Sequence, residues 1–414
     1  MRILLYKKNL SLFIVMFYVF FNIYNALYFI YDGGKLGGDF VGENRYTTPE
    51  TLLISSFLIV ITFLATYFFV AVILSIKIKA RIKVVKSKIV DLIFLFITLV
   101  YLYGIYTGQY IMIDKSVNMN SSFLLSIFNF VFVPSFILLI YLFYRAEDRG
   151  FIYYLILTLY LMSSFLKGET YILILMLPLI YIIRKGIKPV KLYTMVIMAI
   201  IVYPFIRMLK GYLIFKAVSM NKSEDIMLWV NANNNSDNFF GFYMFYFQQG
   251  VERFQHVANV AYLYDHLKDF IMYLSNNDYS IIASTITVHL KNMLFSYSTG
   301  TNMNVIFNYF HSGFTLGSEH IGLAGYILIY GWYSIILFVF LMIIIFFSLV
   351  LSKWIDKTEK VTILTFYLIF ILVCHSWFNA FILYINALIV FSVIMLLLRF
   401  YLRSRDEYET STIC

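Results

Sequence analysis

Charged residues are scarce in this chain: Asp, Glu, Lys and Arg make up 13% of its 414 residues. A soluble protein carries about 25% charged residues, so the composition excludes a water-soluble globular fold. Five prolines and 19 glycines exclude linker-rich and collagen-like chains. In their place, 62% of the residues are hydrophobic and 20% are aromatic. We therefore expect a polytopic membrane protein.

Cysteine is almost absent as well. Cys374 lies in an apolar run and Cys414 is the last residue, so the sequence predicts no disulfide framework and no metal site. It also lacks the Gly-x-x-x-x-Gly-Lys loop that cradles nucleotide phosphates. We expect no metal and no other cofactor.

Apolar runs dominate what is present. A spanning helix needs about 20 mostly apolar residues, and ten runs reach or approach that length. They cover roughly residues 9–31, 51–76, 89–110, 121–144, 151–166, 170–184, 192–210, 321–351, 361–380 and 381–402. The first run has no cleavage site and is expected to be retained, and the last two form one block that must fold back on itself. The predicted fold class is an all-α polytopic membrane protein with about ten transmembrane helices (range 10–12).

Basic residues are unevenly distributed between the loops. With the N-terminus inside, 21 of the 32 Lys and Arg residues fall on the cytoplasmic side, which agrees with the positive-inside rule. The net charge of +10 then reflects topology and contact with anionic lipid, and we expect no nucleic-acid binding. The predicted organisation is an N-terminal bundle at 1–206 (about seven spans), an extracytoplasmic segment at 207–320, and a C-terminal bundle at 321–414 (about three spans) ending in a short cytoplasmic tail.

The extracytoplasmic segment holds five of the six histidines, so we expect the chemistry on the outer face. From Val251 to Leu274, apolar residues recur at helical spacing, which predicts an amphipathic helix at the membrane interface or over the mouth of a cavity. Its polar side carries Glu252, Arg253, His256 and Asn259. A Gly-rich polar stretch with two histidines and an acid then leads into the run at 321–351, whose first turns are expected to form part of the cavity wall.

On these features the chain resembles the Wzy-type O-antigen polymerases, bacterial membrane enzymes that join oligosaccharide repeat units. The likeness lies in the many-span layout with one dominant outer loop, in the loop-to-helix stretch 298–331, and in the turn 165–170, where Lys167 replaces the usual arginine. The resemblance implies a GT-C-like membrane glycosyltransferase fold. It also implies metal-independent transfer between undecaprenyl-diphosphate-linked oligosaccharides on the outer face of the bacterial inner membrane, with a chain-length regulator protein as a further partner.

Such a transfer needs cations that neutralise the leaving diphosphate and a base that takes a proton from the acceptor hydroxyl. The catalytic candidates are Glu319 (the leading base), His311, His320 and Arg253. The candidates for binding the diphosphate or sugar are Arg207, Lys210, Lys167, His256 and Asn302.

Each candidate also has a structural interpretation. Arg207 and Lys210 could snorkel at the interface, Lys167 could pair with Glu169, and Glu319 could cap a helix N-terminus. The first outer loop, with Asp32, Asp39 and Glu43, is a rival site, although its glycines favour a mobile loop. His375 is expected to make a hydrogen bond between helices.

Two other functions remain open at this point. An O-antigen ligase uses similar parts but transfers the finished glycan to a lipid core. A lipid-linked oligosaccharide exporter belongs to a different class and predicts internal repeats and ionisable residues inside the spans. Neither feature is found in the sequence.

Overall fold

The computed structural model describes residues 2–40, 43–76, 88–107, 123–147, 150–167, 172–185, 190–218, 239–252, 254–277, 279, 303–313, 320–356 and 358–411. Regular structure in these ranges is helical, apart from one isolated β-bridge between Lys35 and Tyr46. The α-helices are α1 (Arg2–Tyr31), α2 (Pro49–Ser75), α3 (Lys88–Tyr106), α4 (Phe123–Phe132), α5 (Pro134–Tyr144), α6 (Phe151–Lys167), α7 (Leu177–Lys185), α8 (Val190–Val218), α9 (Phe239–Glu252), α10 (Val257–Asp265), α11 (Leu267–Asn276), α12 (Met303–Ser312), α13 (Gly322–Tyr330), α14 (Ser334–Ile355), α15 (Lys360–Leu368) and α16 (Phe378–Ser411).

Within the described ranges, six helical stretches are long and apolar enough to cross a membrane, α13 and α14 together counting as one. The pair α4 and α5, bent by 42°, adds a seventh if it forms one span. Three shorter apolar helices cover 151–165, 174–184 and 360–373. The all-helical class is therefore confirmed, with six or seven stretches of the described ranges that could span a membrane. Each of the ten predicted runs contains described helix, but the count of about ten spans stays a prediction.

The C-terminal apolar block folds back on itself, as expected. The turn lies between α15 and α16, where Ser376 has a positive φ of 63° and Trp377 N–H donates to the Leu372 carbonyl at 2.7 Å. Thr365 and Tyr384, one on each side of the turn, share a hydrogen bond of 2.6 Å between their hydroxyls. The two helices are thus antiparallel.

One end of the bundle is held by basic side chains. Lys353 Nζ donates to the carbonyls of Ile73 (3.3 Å), Leu74 (2.8 Å) and Ile76 (2.8 Å) at the C-terminus of α2. Carbonyls at the C-terminus of a helix carry the negative end of the helix dipole, so a cation there is favourable. Arg145 pairs with Asp91 at 2.9 Å, near the same end of the bundle as Lys353.

The loop between α1 and α2, predicted to be the first outer loop, meets the predicted outer segment at the opposite end. Thr48 begins α2 by accepting the Thr51 N–H at 3.2 Å, and Pro49 follows at the first helical position, an arrangement typical of helix N-termini. The hydroxyl of Thr51 then donates to Asp265 at the end of α10 at 2.9 Å. The bundle therefore has a basic end and a second end built from the predicted outer loops.

The predicted amphipathic helix between 251 and 274 is divided among α9, α10 and α11. Its first break follows from a tertiary contact: His256 N–H donates to the side chain of Asn22 in α1 at 2.9 Å, instead of to its own helix. Gln255 then accepts the Ala258 N–H at 3.0 Å at the start of α10. Every residue from Val257 to Leu263 is buried, so this part of α10 is enclosed by protein. Of the two predicted positions, at the membrane interface or over the mouth of a cavity, the interfacial one does not fit these residues. The polar face of α10, which carries Asn259, is therefore buried as well.

Candidate functional site

The first outer loop is closed by hydrogen bonds, although its glycines favour a mobile loop. Leu36 N–H donates to the Arg45 carbonyl at 2.9 Å, and Thr47 N–H donates to the Gly34 carbonyl at 2.9 Å. Leu36 and Phe40 are buried. This closure places Asp39, in a short 3₁₀ turn (Gly38–Phe40), against α10.

Asn259 on α10 joins three distant segments of the chain. Its Nδ2 group donates to Asp39 Oδ2 at 2.8 Å and to the His320 carbonyl at 3.1 Å. The Asn259 side chain is 4% exposed, whereas Asp39 is exposed and His320 is half-buried. We call Asp39, Asn259, His320 and Trp377 the Asn259 cluster. It combines the rival acidic site of the first loop with one of the predicted catalytic histidines.

Trp377, in the turn between α15 and α16, completes this cluster. Its indole N–H donates to Nδ1 of His320, and the ring centroids are 4.7 Å apart at 68°. The turn is fixed in place by the Leu323 N–H, which donates to the Cys374 carbonyl at 3.0 Å at the start of α13. Asn304 in α12 also holds the turn, through hydrogen bonds of 3.2 Å with Ser376.

Behind the cluster lies a buried pair of imidazoles, His256 and His375. Their centroids are 4.0 Å apart and the rings are nearly perpendicular. Nε2 of His256 and Nδ1 of His375 have no hydrogen-bond partner among the described residues, so the expected inter-helix hydrogen bond of His375 is not found at Nδ1. Burial lowers the pKa of His256 to about 3, which makes this ring neutral at physiological pH.

Close packing keeps His256 in this position. Gly322, at the start of α13, has a φ of +61°, and a Cβ atom there would lie 2.8 Å from Nδ1 of His256. Position 322 therefore requires a residue that tolerates positive φ and has no Cβ atom, and glycine is that residue.

Glu252, the last residue of α9, is buried beside the first loop. Its Oε2 accepts the Gly38 N–H at 2.7 Å and its Oε1 accepts the Gln248 side-chain amide at 2.7 Å. Burial raises the pKa of Glu252, the two hydrogen bonds lower it, and the nearby charge of Asp39 raises it further, with a net upward shift. Glu252 therefore ties α9 to the turn that carries Asp39.

A second polar group, formed by α12 and the first loop, lies beside the later part of α10. His311 in α12 is buried, with Nδ1 3.6 Å from Glu43 Oε2, and Glu43 pairs with Arg45 at 3.2 Å. Arg45 also donates to the His311 carbonyl at 3.5 Å, and its guanidinium lies 5.6 Å from the ring centroid of Tyr262. We call His311, Glu43 and Arg45 the His311 cluster. It supplies a partly exposed cation next to the Asn259 cluster.

A groove of about 450 Å³ approaches this end of the bundle between α1, α8 and α9. Most of its lining is apolar and aromatic, including Phe20, Tyr24, Ile201 and Phe247. Glu252 and Gln248 also line it, and Glu252 contacts the Gly38–Phe40 turn from there. The groove and the Asn259 cluster thus lie on two sides of one short turn.

Among the predicted site residues, the structure brings together His256, His311 and His320 around α10. Arg207 lies elsewhere, in α8, where it is half-buried and its electrostatic neighbour in the described residues is Tyr246 in α9. Five further candidates lie outside the described residues or have side chains outside them: Glu319, Arg253, Asn302, Lys167 and Lys210. Their roles stay predictions.

No site role was predicted from the sequence for Asn259, Trp377 or Arg45. Asn259 did stand on the polar side of the amphipathic pattern, so its position was detectable although its partners were not. Trp377 follows His375 and Ser376 at one of the polar interruptions of the last apolar block, which is a weak signal. In the ranges that the structure describes, no group of three His, Cys, Asp or Glu side chains could hold a metal ion.

Comparison with known proteins adds no relative: no family model, no curated protein and no solved structure matches this chain.

Proposed function

We propose that the protein is a membrane glycosyltransferase that polymerises oligosaccharide repeat units carried on undecaprenyl diphosphate, as the O-antigen and capsule polymerases do. The observation that carries the proposal is the Asn259 cluster. It places a carboxylate, an imidazole and an indole from three distant segments at one end of an apolar helical bundle. In this proposal the bundle crosses the bacterial inner membrane ten times, with a GT-C-like arrangement and with both termini in the cytoplasm.

The chemistry of the transfer fits the groups at this end of the bundle. The acceptor hydroxyl attacks the anomeric carbon of the donor glycan, its proton passes to a carboxylate, and undecaprenyl diphosphate leaves with the electron pair of the broken bond. Asp39 is the exposed carboxylate of the described cluster, and Glu319 stays the candidate from the sequence. Arg45, with Arg253 from the sequence, is suited to neutralise the diphosphate, since developing charge is stabilised by fixed cations.

The apolar groove supports a lipid-linked substrate. A polyisoprenyl chain needs an apolar surface that is accessible from the bilayer, whereas its diphosphate needs polar partners at the membrane surface. The groove has apolar walls and borders the turn that carries Asp39. A substrate that lies in the groove would thus present its head group to the Asn259 cluster.

The direct test is reconstitution of the purified protein in vesicles with lipid-linked repeat units, without nucleotide and with a chelator. We expect a ladder of polymers that lengthens with time, and an Asp39→Asn variant that gives at least about 100-fold less product because the proton acceptor is lost. An exposed acid at the opposite end, Glu147, provides the matched control: Glu147→Gln should polymerise at the wild-type rate.

A deletion strain separates the alternatives. Accumulation of single repeat units on the finished lipid core supports the polymerase. An undecorated lipid core with normal polymers on the carrier would indicate a ligase, and repeat units trapped on the inner leaflet would indicate an exporter; either result would overturn the proposal.

A further inference from the structure

We propose that Glu252 is a positioning residue for the base: it accepts the Gly38 N–H and thereby holds the turn that carries Asp39. In this role Glu252 acts through the length of its side chain and its acceptor oxygens, and not through its charge. The role in catalysis rests on the proposed function, whereas the effect of the hydrogen bond on the turn does not.

The turn has one anchor on each side of Asp39. Before it, Gly38 N–H donates to Glu252 Oε2 at 2.7 Å. After it, the buried ring of Phe40 packs against Tyr262, with ring centroids 5.0 Å apart. The side chain of Asp39 between these anchors is exposed. A backbone that is held on both sides restricts the positions that this exposed carboxylate can take.

On the Gly38 side, the turn fits closely against the break between α9 and α10. A Cβ atom at Gly37 would lie 2.7 Å from Glu252 Oε1, and one at Gly38 would lie 2.7 Å from Gln255 Nε2. Two successive glycines impose little conformational preference of their own, so this side of the turn depends on its contacts. Glu252 is 3% exposed, and burial strengthens the hydrogen bond that it accepts.

Gln248 fixes the carboxylate from the other side. Its side-chain amide, one helical turn earlier on α9, donates to Glu252 Oε1 at 2.7 Å. A glutamine at position 252 has the same reach: its oxygen can accept from Gly38, and its amide can donate to Gln248 after the Gln248 amide has rotated. An aspartate keeps the charge but is about 1.5 Å shorter, which takes its oxygens out of hydrogen-bond distance of Gly38. Length and charge can therefore be separated.

The hydrogen bond can be measured without any activity. Glycine labelled with ¹⁵N and with ¹³C at the carbonyl selects amides that follow a glycine, and in this sequence these are Gly34 and Gly38. Gly34 N–H donates to the Phe29 carbonyl at 2.8 Å and is the internal reference. Gly33→Ala removes the Gly34 signal from this selection and so assigns the two. We expect slow hydrogen exchange at both amides in the purified protein; exchange of Gly38 at the rate of an unprotected amide would overturn the proposal.

Three variants test the cause. Glu252→Gln should keep the slow exchange of Gly38, whereas Glu252→Asp and Glu252→Ala should speed it at least about fivefold, the effect of one lost hydrogen bond. Asp356→Ala is the matched control, because it removes a buried carboxylate that accepts the Lys360 N–H at 2.8 Å at the basic end. It should leave Gly38 unchanged. Slow exchange in Glu252→Asp, or fast exchange in the control, would overturn the proposal.

The polymerisation assay tests the role in catalysis. A displaced base slows the chemical step, so Glu252→Asp should lower kcat by roughly 10–100-fold with little change in KM for the lipid-linked repeat unit. Glu252→Gln should stay near the wild-type rate. The reverse order, with an active aspartate and an inactive glutamine, would show that Glu252 acts through its charge and would overturn the positioning role. An inactive wild-type protein would contradict the proposed function, and hydrogen exchange would still decide whether Glu252 holds the turn.

Discussion

The side-chain amide of Asn259 is the link on which the cluster depends at the residue scale. One Nδ2 group serves both the carboxylate of Asp39 and the backbone of His320, while its Oδ1 has no hydrogen-bond partner in the described parts of the chain. Loss of this amide would leave the His320 carbonyl without this donor and would free the first loop to move relative to α13.

We expect Asn259→Ala to lower the free energy of unfolding by about 1–3 kcal/mol, the cost of an unsatisfied buried polar group. Displacement of Asp39 relative to His320 should lower polymerisation by roughly 100-fold. Thermal unfolding in detergent and the polymer ladder measure the two effects. Asn277→Ala removes an exposed amide that bonds only the Tyr273 carbonyl and should change neither; equal effects in both variants would contradict the role of Asn259.

Gly322 offers a test of the packing around His256. We expect Gly33→Ala, at a φ of +71° in open space, to cost about 1 kcal/mol through its backbone conformation alone. Gly322→Ala has the same backbone cost and also a contact of 2.8 Å with His256, so it should cost roughly 1–3 kcal/mol more. Chemical denaturation of both variants measures the difference, and equal stabilities would show that His256 can move away.

Glu252 predicts a pH dependence of stability. Its pKa is raised above the ordinary value of 4.5 in the folded protein, so between these two values the folded state binds more protons than the unfolded state. Glu252 therefore contributes most to the free energy of unfolding below about pH 4.5. This contribution falls as the pH rises through the raised pKa. Glutamine does not titrate, so the Glu252→Gln variant does not lose stability in this way as the pH rises. The melting temperature of the variant minus that of the wild type should therefore increase with pH. A difference that stays constant from pH 4 to pH 8 would contradict the raised pKa.

At the scale of elements, hydrophobic runs identified the helices because spanning length and apolar composition are local properties of the sequence. The division of the predicted helix at 251–274 was not detectable, since it depends on a hydrogen bond from His256 to Asn22 in another helix. The closed first loop has the same explanation: glycine permits mobility, but the contacts of Gly38 with Glu252 lie far away in sequence. A single sequence does not reveal which residues of different helices and loops contact each other.

Lys353 provides an element-scale prediction at the basic end. Its ammonium group binds three carbonyls at the C-terminal end of α2. Lys353→Met, which keeps the length but removes the charge, should therefore lower the free energy of unfolding by about 2–3 kcal/mol. Lys191→Met removes an exposed charge and should change stability by less than about 0.5 kcal/mol. Thermal unfolding of the two variants decides; a stable Lys353→Met protein would show that the cap contributes little.

At the scale of the whole molecule, the charge distribution of the loops predicted two chemically different ends, and the structure separates them. Lys353, Lys360 and Arg145 lie at one end, and the two clusters around α10 lie at the other. The positive-inside rule assigned these three basic residues to one side of the membrane, and which side that is stays a prediction.

Which end faces the outside is open to labelling. In a background without Cys374 and Cys414, we expect a membrane-impermeant maleimide to label Tyr46→Cys in intact cells, because Tyr46 is exposed beside the clusters. Glu147→Cys, also exposed but at the basic end, should be labelled only after permeabilisation. Labelling of both positions from one side would contradict the topology, and the reverse pattern would place the chemistry in the cytoplasm.

The turn at 374–377 has a consequence for biosynthesis. Trp377 and the Cys374 carbonyl complete a cluster whose other members precede them in the chain, so the cluster cannot assemble until the ribosome has released this turn and the translocon has inserted α16. A product that terminates early would keep most of its apolar helices and yet lack the indole that donates to His320. Co-expression of the missing C-terminal hairpin as a separate fragment should then restore polymer synthesis, which would make the last two helices a complementing half of a split protein.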